Sequence, residues 1–309
     1  MGEGSGKEPQ SLPGKAGRVA GRVGDRHLMA ENSTIEWTDH TANFWWGCMK
    51  VSEGCKFCYA ERVSKRMGQE FTKVTLHPER LGIPLHWRKP RKIFVCSMSD
   101  LFQDAVPMKF IKQVLETVLK APEHTYQVLT KRSFRMRAIL TDWYDDMKVS
   151  RPFPNLWIGV SAENQEQADK RIPDLLQTPA AVRFVSLEPI LGPIDLSRYL
   201  WASGDEGEPA PRNDPTTPGV HWCIVGGESG GPPERALVHR ADVALANRDV
   251  DRPWQPKPDA LEWVRAIRDQ CVESGTSFLH KQWGGPRPKS GGRSLDGKIW
   301  DQFPNRETV

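Results

Sequence analysis

Seven short apolar runs, most of them followed by a stretch with helical spacing, leave this chain few folds to choose from. The runs cover residues 43–46, 93–97, 125–130, 156–161, 182–187, 221–226 and 277–281. Between them Ile111, Val114, Leu115 and Val118 fall on one helical face, with Pro107 placed to open that helix and Pro122 beyond its end. Ala260, Val264, Ile267 and Cys271 form a second such face, entered by Pro258. Strands that alternate with helices pair in parallel through right-handed crossovers. The expected class is therefore α/β, a partial (βα)6-type TIM-like barrel with parallel strands and a cysteine-bearing loop after the first strand. A doubly wound open sheet is the alternative.

The segments outside this pattern divide the chain. Residues 1–32 carry Gly, Lys, Arg and Pro without a hydrophobic period, as a disordered arm does, and Met29 is a candidate functional start. The barrel is expected over 33–283, with inserted loops at 202–219 and 230–256 and a polar tail from 284 to 309. The first insertion precedes a strand and belongs to the end of the barrel away from any site. The second follows a strand and belongs to the rim where βα loops build active sites. No run is apolar for long enough to cross a bilayer, and the amino terminus lacks the apolar core of a secretory signal. A cytoplasmic location is expected, where clustered thiols mean metal or catalysis more often than disulfides. The net charge of +4 permits an anionic partner without demanding one.

Three of the six cysteines, Cys48, Cys55 and Cys58, sit within eleven residues at the spacing C-x6-C-x2-C. Gly47 and Gly54 each stand directly before a cysteine, where a backbone free to turn can aim several sulfurs at one point. Thiolates are soft ligands for zinc or iron–sulfur clusters. Three ligands without an evident fourth suit a [4Fe-4S] cluster with one iron left open, since a closed site wants four. Zinc completed by His40 or by a distant Cys or His is the competing reading, and three unconnected thiols the plainest one. Cys96, Cys223 and Cys271 lie in apolar strand or helix patterns and read as buried small hydrophobes. The histidines show no metal-ligand spacing, and no G-x-S-x-G elbow occurs.

Three runs end in a small residue followed shortly by an acid: Ser161-Ala162-Glu163, Ser186-Leu187-Glu188 and Gly226-Gly227-Glu228. A fourth ends Ser97-Met98-Ser99-Asp100. In a barrel these positions converge on the ligand-binding mouth, where carboxylates accept hydrogen bonds from hydroxyl and ammonium groups. Lys131, Arg132 and Arg135 follow the third run and offer cations for a carboxylate or phosphate. The alternative for each acid is a helix N-cap or first-turn residue, a reading as good as a functional one for Asp100 and Glu163 and a weaker one for Glu188 and Glu228, which stand beside Pro189 and in a glycine-rich turn. Arg88, Lys89, Arg91 and Lys92 precede a run and read as a solvated face at the opposite end.

Gly47-Cys48, with Gly54-Cys55-Lys56-Phe57-Cys58-Tyr59-Ala60-Glu61-Arg62, resembles the cluster loop of radical S-adenosylmethionine (SAM) enzymes. Those enzymes commonly carry an aromatic residue before the third cysteine, as Phe57 is here. Ile35-Glu36-Trp37-Thr38, Ser186-Leu187-Glu188-Pro189, Val225-Gly226-Gly227-Glu228-Ser229-Gly230 and Lys281-Gln282-Trp283-Gly284 are similar to one branch, the phage-associated three-Cys-motif family. The resemblance implies a [4Fe-4S] cluster on Cys48, Cys55 and Cys58, with SAM as the second cofactor. Residues expected around the cofactors are Tyr59, Ser97, Asp100, Arg132, Ser161, Glu163, Glu188, Gly226, Gly227 and Glu228. Glu188, Glu228 and Lys131 are the catalytic candidates. A dedicated partner protein is also implied, and nucleic acid is a candidate substrate or partner. Two features depart from the usual pattern: six residues rather than three separate the first two cysteines, and the Gly-Gly-Glu segment follows the sixth strand rather than the second. The rival from another class is a non-catalytic binding module for nucleic acid or a partner protein, stabilised by zinc or by a cluster.

Overall fold

The computed structural model describes residues 33–200, 219–240 and 254–304, together with Met1. The expected arm at 1–32 and the insertion at 202–219 therefore lie almost wholly outside the described residues. In chain order the elements are β1 (His40–Ala42), β2 (Trp45–Trp46), α1 (Tyr59–Arg66), β3 (Thr75–Leu76), β4 (Lys92–Val95), α2 (Met108–Lys120), β5 (Thr125–Thr130), α3 (Ser133–Met147), β6 (Leu156–Ser161), α4 (Gln165–Leu176), β7 (Val182–Leu187), β8 (Trp222–Gly226), β9 (Val238–Arg240), β10 (Trp254–Pro256), α5 (Pro258–Ser274), β11 (Ser277–Gln282), β12 (Ser294–Leu295) and β13 (Lys298–Ile299).

Seven of these strands form one sheet in the order β1-β4-β5-β6-β7-β8-β11, parallel at every pairing. The order never reverses, so right-handed crossovers put the helices on one face and the sheet curls into an open half-barrel. This is the partial TIM-like barrel expected from the sequence, and the doubly wound alternative, which needs a reversal, is excluded. One boundary is corrected. The first sheet strand is His40–Ala42, whereas Trp45 and Trp46, placed by sequence in that strand, pair antiparallel with β3 in a separate two-stranded sheet. Bulky aromatic residues mimicked a sheet strand there because two-strand ribbons favour them equally.

Strand side chains alternate between two apolar environments. Ile93, Val95, Val128, Ile158, Val185, Cys223 and Val225 face outward onto Ile111, Val114, Leu115, Ile172, Val264 and Ile267 of the helices. Phe94, Trp157, Phe184, Trp222, Ile224 and Leu279 face inward and, with Trp37 from the segment before β1, fill the half-barrel as an aromatic plug. Gly159 on β6 leaves the room this needs, since a Cβ there would stand 2.6 Å from the Phe184 ring.

The carboxyl-terminal segment belongs to the fold through residue 304. Trp300 and Gln302 bond to the edge of β11, through His280 N to Trp300 O at 3.0 Å and Gln302 N to Phe278 O at 3.1 Å. Phe303 then closes the bottom of the plug, 4.9 Å from the Trp222 ring. His280 on β11 is fully buried, and burial lowers its pKa to about 4. A folded-state value below the unfolded one near 6.5 means that stability is intact above that pH and is lost as pH falls toward 4. The loss is on the order of 3 kcal/mol. Urea unfolding between pH 7 and 4.5 should show His280→Gln losing less stability on acidification than the wild type.

Candidate functional site

The chain leaves β1 through Asn43, whose Oδ1 accepts from Met98 N at 3.0 Å and so ties the first strand end to the turn after β4. The cysteine loop follows, and four of the later strand ends each send a side chain to hold it. Gln103, after β4, donates to Gly47 O at 2.8 Å. Arg132, after β5, donates to Met49 O at 2.9 Å and approaches Cys48 Sγ at 3.9 Å. Glu163, after β6, accepts from Gly54 N at 3.0 Å. Arg235, after β8, donates to Glu53 Oε1 at 2.7 Å and lies 5.0 Å from the Phe57 ring. A loop whose own regular structure is one 3-10 turn, Glu53–Cys55, is thus held by four neighbouring turns.

Above the aromatic plug these turns enclose a cavity of about 430 Å³. Cys48, Cys55 and Cys58 line it together with Tyr59, Ser97, Asp100, Lys131, Arg132, Ser161, Glu188, Gly227 and Glu228. Its floor includes Trp37, Phe94 and Leu129. Twelve of the fourteen residues singled out from the sequence therefore meet at one mouth.

The other two support its walls. Glu163 is 1% exposed, paired with Arg171 at 2.9 Å, and braces Gly54 rather than facing a ligand. Gly226 supplies space: a Cβ there would lie 3.1 Å from the Glu188 carboxylate. Gly227 is more demanding, because a Cβ would stand 2.2 Å from the Trp283 carbonyl oxygen. Backbone cannot yield as a side-chain tip does, so Gly227→Ala should cost about 1–3 kcal/mol and displace Glu228. Thermal unfolding checks the first effect and ligand affinity at the cavity the second.

The carboxylates are held by cations. Glu188, joined to Pro189 by a cis peptide, accepts from Lys281 Nζ at 2.8 Å through both oxygens and from Gln282 Nε2 at 3.3 Å. Glu228 accepts a forked pair from Arg235 at 2.8 and 3.3 Å. Asp100 accepts from Phe102 N, Thr130 Oγ1, Lys131 N and Arg132 Nη1 within 3.0 Å. It ties two strand ends together and aims Arg132. The Lys131 backbone is held by Asp100, while its ammonium lines the cavity and makes no hydrogen bond or ion pair among the described residues. Tyr59 donates to Ser97 O. Arg62 on α1 donates to Gly230 O at 2.8 Å and Ser229 O at 2.6 Å, and Lys289 meets Glu36 at 2.8 Å across the open side of the sheet.

Arg235 is absent from the residues expected from the sequence, and Lys281 and Arg62 appear there only as members of matching motifs, without a role. Lys281 ends the last strand on the same rim as the acids, a signal available from strand alignment. Arg235 lies in the insertion over 230–256, placed on this rim by the sequence but with no residue singled out. Its described part folds down as the β9–β10 ribbon. At the far end of the barrel Arg91 stacks on Trp87 at 4.8 Å and Lys92 on Phe303 at 4.0 Å, so that basic run is partly packed rather than wholly solvated.

Three thiolates are soft donors that suit either zinc or an iron–sulfur cluster. Tetrahedral zinc, with Zn–S near 2.3 Å, needs its sulfurs only about 3.8 Å apart, and among the described residues no three His, Cys, Asp or Glu side chains are grouped to hold one metal ion. A cluster attaches each thiolate to its own iron and so spreads them. His40, the suggested fourth zinc ligand, starts β1 at the opposite end, against Arg91 and 5.0 Å from the Trp87 ring. All three loop cysteines are free thiols. Burial, with Asp100 adding and Arg132 opposing, pushes Cys48 up to about 12, so binding there displaces a proton.

Fold and site together define an α/β half-barrel protein in which a cavity at the carboxyl ends of the strands brings three loop cysteines among paired acids and bases. The chain belongs to the family described as proteins of unknown function (DUF5131), which matches residues 32–245 and 253–304. No curated protein matches its sequence. Among solved structures, spore photoproduct lyase complexed with dinucleoside spore photoproduct aligns with a TM-score of 0.41 at 10% identity, over 83% of this chain and 79% of that one. A likeness so weak bears on neither function nor substrate. No helix among the described residues is long and apolar enough to cross a membrane.

Proposed function

We propose that this protein is a radical-SAM-like iron–sulfur enzyme whose substrate enters the cavity from the rim. The observation that carries the reading is the meeting of Cys48, Cys55 and Cys58 with Glu188 and Glu228 around one cavity at the carboxyl ends of parallel strands. Cys48, Cys55 and Cys58 would hold a [4Fe-4S] cluster, which supplies one electron to split the S–C5′ bond of SAM and so begin radical chemistry. The chain's own residues then bind, orient and exclude water. Glu188 and Glu228 offer acceptors for an ammonium or for hydroxyls, and Lys281 and Arg235 keep those acceptors in place. The Lys131 ammonium, without a hydrogen-bond or ion-pair partner among the described residues, answers a carboxylate. Trp37, Phe94 and Leu129 below, with Phe57 and Tyr59 beside, make the walls apolar and keep bulk water from a reactive intermediate.

The test is reconstitution with iron and sulfide without oxygen, then addition of SAM and dithionite. About four irons per chain together with release of 5′-deoxyadenosine support the reading. Iron without SAM cleavage would leave a cluster kept for structure, and one zinc per chain would point to a binding module.

A further inference from the structure

Arg132 enters the sequence reading as a counter-charge for an anionic ligand, but its geometry commits it elsewhere. Nη1 lies 2.9 Å from Asp100 Oδ2 and 3.9 Å from Cys48 Sγ, and Nη2 lies 2.9 Å from Met49 O. Both terminal nitrogens are therefore engaged within the chain, and the side chain is only 9% exposed. Asp100 cannot swing away to release it. Its Oδ1 accepts from Thr130 Oγ1 at 2.7 Å and Phe102 N at 3.0 Å, and its Oδ2 from Lys131 N at 3.0 Å. The result is a fixed relay of carboxylate, guanidinium and sulfur, in which a cation that holds its proton at any ordinary pH stands against one cysteine of the loop. Among the described residues no hydrogen bond from a side chain reaches Cys55 or Cys58, so the arrangement is asymmetric across the three thiols.

Positive charge and a hydrogen-bond donor at a ligand sulfur both favour the more negative, reduced form of a metal–thiolate centre, and both act more strongly where burial lowers the local dielectric. We infer that Arg132 sets the reduction potential of the metal centre that Cys48 helps to hold, raising it through charge and hydrogen bonding at that sulfur, with Asp100 as its positioning residue. This rests on the proposed iron–sulfur reading. It assigns Arg132 to the electron-accepting step and leaves the Lys131 ammonium, unpaired among the described residues, to meet an anionic group of a ligand.

The experiment is a dithionite titration followed by electron paramagnetic resonance. It compares the reconstituted wild type with Arg132→Gln, Arg132→Lys and Arg235→Gln, with iron and sulfide counted for each. Arg132→Gln should shift the midpoint to a more negative value. Arg132→Lys, which keeps the charge but loses the fork, should fall between it and the wild type. Arg235→Gln removes a rim cation that does not touch Cys48, and its shift should be smaller. An unchanged or more positive midpoint for Arg132→Gln would overturn the inference, as would an equal shift for Arg235→Gln. Should Arg132→Gln retain no iron, Arg132→Lys decides, and a midpoint equal to the wild type's sinks the idea. A wild type that takes up no iron strikes instead at the proposed function and is seen before any variant is compared.

Discussion

Replacing Cys48, Cys55 and Cys58 by alanine together should abolish iron uptake and the brown colour of the reconstituted protein. Replacing Cys223 and Cys271 should leave both intact. The contrast is sharp because both pairs of outcomes come from free thiols. Cys223 and Cys271 are fully buried between β8 and α5, inside the outer apolar layer, whereas the other three line the cavity. General unfolding would not explain loss of iron in the triple variant. Gln103 would still hold Gly47, Glu163 would hold Gly54, and Arg235 would hold Glu53. Near-ultraviolet circular dichroism on the iron-free proteins checks that the loop's surroundings survive. Iron per chain undiminished in the triple variant would remove the ligand assignment, and the proposed function with it.

The largest loss of stability is expected at the brace beneath that loop. Arg171 on α4 is 3% exposed and donates to Glu163 Oε2 at 2.9 Å and Ser161 O at 2.8 Å. Arg171→Met removes the charge while keeping much of the length, which leaves the Glu163 carboxylate buried without its cation. Breaking a buried pair from one side costs about 3–5 kcal/mol, while replacing both partners costs far less. The urea midpoint should therefore fall steeply for Arg171→Met and recover in large part for Arg171→Met with Glu163→Gln. Acid provides a second view of the same pair. Burial alone would push the Glu163 carboxyl up, but the hydrogen bonds and the Arg171 charge outweigh it and hold the carboxyl below its ordinary value. A depressed carboxylate contributes stability in full above the unfolded pKa near 4.3 and loses it as pH falls through the folded one. The wild-type protein should show that loss on acidification, and Glu163→Gln should lack this component.

The parallel sheet was legible because its strands are buried on both faces. Residues 125–130, 156–161 and 182–187 match β5, β6 and β7 end for end. Buried parallel strands read as continuous apolar runs bounded by turn residues. The edge was harder. β1 is three residues long and begins with His40 and Thr41, and nothing in so short a polar stretch outweighs Asn43-Phe44-Trp45-Trp46 beside it. The same logic applies at the site. Aligning acids at strand ends found the mouth, because topology delivers those positions to one rim. Arg235 and Arg62 act from a long insertion and a helix, and their partners are set by tertiary approach that no local spacing encodes. Glu163 shows the limit from the other side, since a carboxylate that faces a ligand and one that props a loop share the same local sequence.

The carboxyl-terminal pairing with β11 covers one margin of the open sheet. An open curl exposes a raw ladder at each margin, and such margins recruit other chains. Here the stretch around Trp300 and Gln302 zips onto one of them, and Phe303 corks the bore beneath. Cutting the chain before Trp300 would uncork the barrel and bare a sticky seam in a single stroke.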